Sequence, residues 1–159
     1  MTDDAPDAPD APDEPEWRDH LLDTTDRVRA LLGRVRRIAV LGIKTPESGQ
    51  PAYWVPQYAQ RAGYEIVPVP VYYPEATEIL GVPVVRRLVD VEGRIDLVNV
   101  FRRAVDVPAH LDDLLAARPA AVWMQSGIRH AAVAERLARE GIDVVQDRCL
   151  MVELRAIGR

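Results

Sequence analysis

The chain has 159 residues and a formal net charge of −5, and its 48% hydrophobic and 28% charged residues are typical of one globular domain. One cysteine and three histidines exclude a disulfide framework and a cysteine-rich zinc site. No apolar run approaches the roughly 18 residues of a membrane span, and the acidic start does not resemble a secretory signal, so we expect a cytoplasmic protein without a membrane partner.

The acidity is concentrated at the N-terminus. Residues 1–16 hold seven of the 25 acids and none of the 20 bases, which leaves 18 acids against 20 bases, about +2, in the rest of the chain. This segment repeats Ala-Pro-Asp three times, and proline and like charges oppose regular structure. We therefore predict a disordered tail over 1–16 and one domain over 17–159. A body so nearly neutral predicts no nucleic-acid binding.

The domain begins with a predicted helix over 17–33, where leucines and a valine recur at helical spacing and Gly33 follows. Five short apolar runs are predicted strands: 38–41, 65–69, 95–101, 121–124 and 142–145. Helices are predicted over 53–62, 108–117 and 128–140, with a short extended piece at 82–84 and a short helix over 86–91.

Continuous apolar strands that alternate with helices indicate a parallel sheet covered on both faces. The predicted fold class is α/β, a three-layer, doubly wound, mostly parallel five-stranded sheet. Ligands bind such sheets outside the carboxyl ends of the strands. That rule selects five loops, which begin at Gly42, Pro70, Arg102, Gln125 and Asp147.

The first of these loops suits a phosphate. Gly42 lets backbone N–H groups approach an anion, Lys44 adds a positive charge, and Thr45 adds a hydroxyl donor. The loop contains neither the Gly-x-Gly-x-x-Gly fingerprint nor a P-loop. Gly42 is equally compatible with a plain surface turn.

The second and third loops offer aromatic and cationic groups. Tyr72 or Tyr73 could stack on a purine, although no acid ends this strand to bind a ribose. In the third loop, Arg102 and Arg103 are adjacent, so we expect one to face the site and the other to face solvent. A guanidinium there can pair with phosphate.

The last two loops supply polar groups without an evident catalytic set. Gln125 can hydrogen-bond an amide, and Gly127 permits close approach of a ligand. Cys149 has no convincing base partner, since the histidines fall in helical segments and only His130 is expected near the cleft. We find no metal spacing and no nucleophile with a partnered base.

The segments at these loops resemble a known family. Val100-Phe101-Arg102, the Trp-Met-Gln-x-Gly sequence at 123–127 and Asp-Arg-Cys at 147–149, in this order, resemble the small bacterial CoA-binding proteins. The single Rossmann-like domain of that family is similar to the CoA-binding domain of the succinyl-CoA synthetase α subunit. The resemblance runs from about residue 36 to the end of the chain.

The resemblance implies a coenzyme A site with eleven contributing residues. Gly42, Ile43, Lys44 and Thr45 would meet phosphate, Pro70, Val71 and Tyr72 would flank the adenosine, Phe101 and Arg102 would line the middle, and Gln125 with Gly127 would approach the pantetheine arm. Two positions depart from the family pattern: Lys44 stands where a serine is usual, and Pro70 where an asparagine is usual.

Three interpretations of function stay open at this point. The first is non-catalytic binding of CoA or an acyl-CoA by a metabolic sensor or carrier. The second is an NAD(P)-dependent oxidoreductase or another nucleotide-cofactor enzyme, against which the missing glycine fingerprint and ribose acid count. The third is a regulatory protein whose acidic tail or first helix recruits a protein partner.

Overall fold

The computed structural model describes residues 16–159. The tail predicted over 1–16 therefore lies outside the described residues, apart from Glu16. The strands are β1 Arg37–Leu41, β2 Glu65–Val69, β3 Glu78–Ile79, β4 Val82–Pro83, β5 Leu97–Val100, β6 Ala121–Met124 and β7 Asp143–Val145. The α-helices are α1 Thr25–Arg34, α2 Pro51–Arg61, α3 Leu111–Ala117, α4 Ala131–Arg139 and α5 Leu150–Ala156. Short 3-10 helices cover Glu16–His20, Pro46–Ser48, Leu88–Asp90 and Ala104–His110.

Five strands form one parallel sheet in the order β2-β1-β5-β6-β7. Every residue of β5 and β6 is buried, as expected for central strands covered on both faces. The two-residue strands β3 and β4 form a separate antiparallel pair. The predicted doubly wound α/β fold is confirmed.

Alternate residues of each strand enter two apolar cores, one on each face of the sheet. On β1, Ile38 and Val40 belong to the core covered by α1, α2 and α5. Ala39 and Leu41 belong to the opposite core, which α3 and α4 cover. The molecule therefore has three layers, and both faces of the sheet are used for packing, which leaves its edges and ends for a site.

The prediction of a single helix over 17–33 is wrong. The chain forms a 3-10 helix over Glu16–His20 and then runs beside β7, where Leu22 N–H donates to the Val144 carbonyl over 2.9 Å. The α-helix begins only at Thr25, after Thr24, whose hydroxyl accepts the N–H of Arg27. A tertiary strand-like contact and an N-cap thus divide a segment whose leucine spacing suggested continuous helix.

Two later elements also differ from the prediction. The segment predicted as a helix over 108–117 is a 3-10 helix that passes into α3 at Leu111, and α5 follows β7 where no helix was predicted. Among the described residues, no helix is long and apolar enough to cross a membrane.

Candidate functional site

The order in which the chain adds strands to the sheet reverses between β1 and β5. These strands are neighbours, with Leu41 opposite Val100, while the chain runs from β1 outward to β2 on one side and from β5 through β6 to β7 on the other. Such a switch point leaves a crevice at the carboxyl ends of the strands. Gly42 and Phe101 are the first residues beyond the two strands.

The backbone conformation and the close packing at residue 42 both require glycine. Its φ is +85°, and a β-carbon there would lie 2.4 Å from the carbonyl oxygen of Phe101 and 3.2 Å from Cδ of Arg102. Only glycine combines this backbone conformation with so close an approach. The residue therefore brings the loop after β1 against the loop after β5.

The backbone of this first loop is largely engaged within the protein. Gly42 N–H donates to the Val69 carbonyl over 2.9 Å, and Lys44 N–H donates to the Ala52 carbonyl over 3.1 Å. The Ile43 side chain is buried in the core, so a ligand could meet only its backbone. Within this loop, the Lys44 ammonium is the positively charged group that can reach the crevice.

Two cavities lie beside the switch point at this end of the sheet. The first, called here the tyrosine cavity, has a volume of about 580 Å³, and its lining includes Pro70, Val71, Tyr72, Arg87, His110 and Asp113. The second, the lysine cavity, has a volume of about 660 Å³, and its lining includes Lys44, Trp54, Phe101, Arg102, Gln125 and Gly127. Eight of the eleven predicted site residues thus line one of two cavities, while Gly42, Ile43 and Thr45 line neither.

Arg102 connects the two cavities. It lines the lysine cavity, while its Nε donates to His110 Nε2 over 3.1 Å and its Nη1 lies 3.4 Å from the Tyr72 hydroxyl. Its guanidinium also lies 5.6 Å from the centre of the Tyr72 ring. Both Tyr72 and His110 line the tyrosine cavity, so the arginine stands at the junction between the cavities.

The neighbouring arginines differ in exposure and in ion pairing, although both line the lysine cavity. The side chain of Arg102 is 15% exposed, whereas that of Arg103 is 80% exposed and pairs with Asp106 over 2.8 Å. Asp106 comes only within 3.9 Å of Arg102. The positive charge of Arg103 is therefore closely balanced by a carboxylate, and that of Arg102 is held mainly by uncharged groups.

Lys44 is also held by an uncharged group. Its Nζ donates to Oε1 of Gln50 over 2.5 Å, across the loop that leads from β1 to α2. The residues that line the lysine cavity include Lys44, Arg102 and Arg103 and no aspartate or glutamate. The cavity is consequently attractive to an anion.

Tyr72 and His110 both respond to the charge of Arg102. The hydrogen bond and positive charge of Arg102 lower the pKa of the Tyr72 phenol. Burial, followed by the charge of Arg102, lowers the pKa of His110. A guanidinium N–H can only donate, so Nε2 of His110 is the unprotonated nitrogen and the ring is neutral in this contact.

Gln125 joins the cavity to the start of α5. Its Oε1 accepts two hydrogen bonds, one from Nδ2 of Asn99 and one from the N–H of Leu150, each over 3.2 Å. Asn99 and Gln125 are buried polar residues on adjacent strand ends. This pair fixes the floor of the lysine cavity beside Cys149, which also lines it.

Gly127 is held by a carboxylate. Its N–H donates to Oδ1 of Asp147 over 2.7 Å, and this hydrogen bond is the main reason why the pKa of Asp147 is lowered. Asp147 also pairs with Arg129 over 3.4 Å. Gly127 lines the lysine cavity, but its N–H is already bound within the protein and stabilises the turn between β6 and α4.

The structure places His110, rather than the expected His130, at the site. His130 is the N-cap of α4, where its Nδ1 accepts the N–H of Val133. His110 lies at the site instead, because the 3-10 helix over Ala104–His110 carries it beneath Arg102. Nothing in the sequence separates these two histidines, since the contact depends on how that helix packs.

Within residues 16–159, no cluster of three or more histidine, cysteine, aspartate or glutamate side chains could hold a metal ion. In the same part of the chain, no hydrogen bond joins Cys149 or Ser126 to a histidine.

The fold and the site define a class of protein: a doubly wound α/β domain of Rossmann-like fold with two neighbouring cavities at the carboxyl ends of its strands. Residues 36–155 match the family model described as CoA binding domain. The chain belongs to this CoA-binding domain family.

Several relatives share most of this length. The uncharacterized protein YneT of Bacillus subtilis (strain 168) is 34% identical over 125 residues, which are 79% of this chain and 90% of YneT. A solved structure from Thermus thermophilus, cell-free ID.343, is 39% identical with a TM-score of 0.77 and covers 85% of this chain and 99% of its own. Prb, described as PH1109 protein redesigned for binding, is 28% identical with a TM-score of 0.74 over 86% and 94% of the two chains.

Proposed function

We propose that this protein binds coenzyme A or an acyl-CoA across the two cavities, without transforming it, and acts as a carrier or sensor of that ligand. The observation that carries the proposal is electrostatic. Lys44 and Arg102 line one cavity, and the side chains within hydrogen-bond distance of them are Gln50, His110 and Tyr72. The carboxylate nearest to Arg102, that of Asp106, lies 3.9 Å away and pairs more closely with Arg103. Two cations held in this way retain their charge for an anionic ligand.

The shape of the crevice suits a long ligand with an anionic centre. CoA has an adenosine end, phosphates in the middle and a neutral pantetheine arm. The Pro70–Tyr72 segment of the tyrosine cavity would hold the adenosine, with one exposed aromatic ring and two apolar side chains. Lys44 and Arg102 would meet the phosphates, Phe101 would line the middle of the ligand beside Arg102, and Gln125 with Gly127 would flank the arm.

The residues around the lysine cavity support binding rather than turnover. Cys149 and Ser126 are the thiol and hydroxyl nucleophiles in the lining, and general-base activation of either would require a partner within hydrogen-bond reach. Gln125, the polar group on the cavity floor, accepts two hydrogen bonds from the protein. An amide so held can orient a ligand but does not exchange protons at neutral pH.

Isothermal titration calorimetry with CoA, dephospho-CoA, NAD and NADP tests the ligand. We expect saturable heat with CoA and weaker or no heat with the two nicotinamide cofactors. Saturation with NAD or NADP but not with CoA would overturn the proposal. Incubation of the protein with acetyl-CoA, followed by mass spectrometry of the ligand, tests the absence of turnover, and conversion of the thioester above the protein-free rate would contradict it.

A further inference from the structure

We propose that His110 is a positioning residue for the anionic ligand: its neutral imidazole accepts the Nε–H of Arg102 and fixes the guanidinium at the junction of the two cavities. The inference rests on the proposed function and adds a pH dependence to it. Ligand affinity should be full while His110 is neutral and should fall when the ring takes up a proton.

The contacts of Arg102 leave part of its hydrogen-bonding capacity free. A guanidinium has five N–H donors. One is directed at His110 over 3.1 Å and one at the Tyr72 hydroxyl at 3.4 Å, which leaves three, with Asp106 no closer than 3.9 Å. Because His110 and Tyr72 engage two nitrogens of the planar group, Nε and Nη1, its remaining donors have a fixed direction, and less side-chain entropy is lost when an anion binds.

The acidic groups near His110 are occupied by other arginines. Asp106, on the same 3-10 helix, pairs with Arg103 over 2.8 Å. Asp113, on α3, pairs with Arg87 over 2.7 Å. Neither carboxylate forms a hydrogen bond with the imidazole among the described contacts, so neither offers a protonated His110 a ready ion pair.

Burial and the charge of Arg102 together outweigh the carboxylates that favour a proton on His110. Arg86 and Arg87 line the tyrosine cavity with it, and Arg86 is tied to the carbonyls of Tyr73, Pro74 and Ala76. The charge of Arg102 disfavours the imidazolium, whereas Asp106 and Asp113 favour it to a smaller extent than burial and Arg102 oppose it. Uptake of a proton would place two positive groups about 3.1 Å apart and remove the acceptor of Arg102.

The first test is a pH profile of CoA affinity by calorimetry between about pH 5.5 and about pH 8, the range in which histidine titrates. The matched variant is His110→Gln, whose amide oxygen can replace Nε2 as an acceptor but does not titrate. The 3′-phosphate of CoA, a phosphomonoester, also titrates near pH 6. The titration of the ligand phosphate cancels in the ratio of wild-type to variant affinity, because both proteins bind the same ligand.

The expected result is equal affinity at the upper end of the range, within about twofold, and a deficit of the wild type that grows toward the lower end. Because the pKa of His110 is lowered, the deficit should stay below about tenfold at about pH 5.5. A ratio that does not change with pH would overturn the inference. A wild-type affinity that rises on acidification relative to His110→Gln would also overturn it, since a protonated His110 would then be contacting the anion directly.

A double-mutant cycle distinguishes positioning from a general structural effect. His110→Ala should weaken CoA binding about tenfold in the wild-type background and less than about twofold in an Arg102→Ala background, because the residue acts through Arg102. Equal losses in both backgrounds would overturn the inference. Absence of CoA binding by the wild type at every pH would refute the proposed function itself, whereas binding without coupling would refute only the role of His110.

Discussion

A β-carbon at residue 42 would lie 2.4 Å from the carbonyl oxygen of Phe101, so the loop after β1 packs against the loop after β5 only because residue 42 is glycine. The same glycine leaves room for the Arg102 side chain, whose Cδ would be 3.2 Å from the added carbon. The closeness of two loops at the switch point thus determines where the arginine at the junction of the cavities can lie.

Gly42→Ala should lower the free energy of unfolding by about 3 kcal/mol, because it adds a positive-φ penalty and an overlap with backbone. The matched control is Gly49→Ala, which has a φ of +61° but no atom within 4 Å of the added carbon and should cost about 1 kcal/mol. Urea unfolding measures both. Equal losses in the two variants would show that the Phe101 contact does not constrain residue 42.

Lys44→Ala should weaken CoA binding by about 1–3 kcal/mol, the range for a hydrogen bond to a charged group. Arg94→Ala removes the same charge at a side chain that is 79% exposed and paired with Asp96, before β5 rather than after it, and should leave affinity nearly unchanged. Calorimetry at one ionic strength compares them. An equal effect of both variants would mean that net charge, not the position of Lys44, attracts the ligand.

Gln125→Ala should lower the free energy of unfolding by about 2–4 kcal/mol, because the buried Nδ2 of Asn99 and the buried N–H of Leu150 lose their acceptor. The adjacent Ser126→Ala is the control, since Ser126 is exposed and should change stability by less than about 0.5 kcal/mol. Denaturant unfolding is again the measurement. A stability loss no larger than that of the control would show that the pair on the cavity floor does not hold the start of α5.

Acid should destabilise the protein through His110. Its pKa lies below the ordinary value of 6.5 in the folded state, so the unfolded chain takes up a proton at higher pH than the folded chain does. The stabilisation is complete above pH 6.5 and is lost as pH falls through the folded pKa. Urea unfolding at about pH 7.5 and about pH 5.5 should show a smaller loss for His110→Gln than for the wild type.

Arg102→Ala supplies a second check on that titration. Removal of the guanidinium takes away a charge that lowers the pKa of His110, so the pKa of the imidazole should rise toward its ordinary value. Proton NMR of the His110 ring measures this directly in the ligand-free protein. An unchanged pKa would contradict the contact between the two side chains.

The strands were predictable because burial on both faces of a parallel sheet demands continuous apolar segments, and 38–41, 65–69 and 121–124 are such segments. The α/β alternation then fixed the fold class and the loops of the site. Helix boundaries were less predictable where a tertiary contact decides them. Leu21 and Leu22 have helical spacing with later leucines, yet they run beside Val144 of β7.

The site was predictable to the level of its loops but not of its interactions. The loop rule located Lys44, Tyr72 and Arg102 at one end of the sheet. It gave no means to choose His110 over His130, because the choice depends on the packing of a 3-10 helix. Nor did it show that Ile43, within the first loop, faces the core.

The central claim is that Lys44 and Arg102 hold the phosphates of a CoA-type ligand, and a crystal structure of the protein with bound CoA tests it most directly. We predict phosphate oxygens within hydrogen-bond distance, about 3 Å, of Lys44 Nζ and of the Arg102 guanidinium, with Arg102 still bonded to His110. Phosphates bound away from both side chains, with Lys44 still on Gln50, would contradict it.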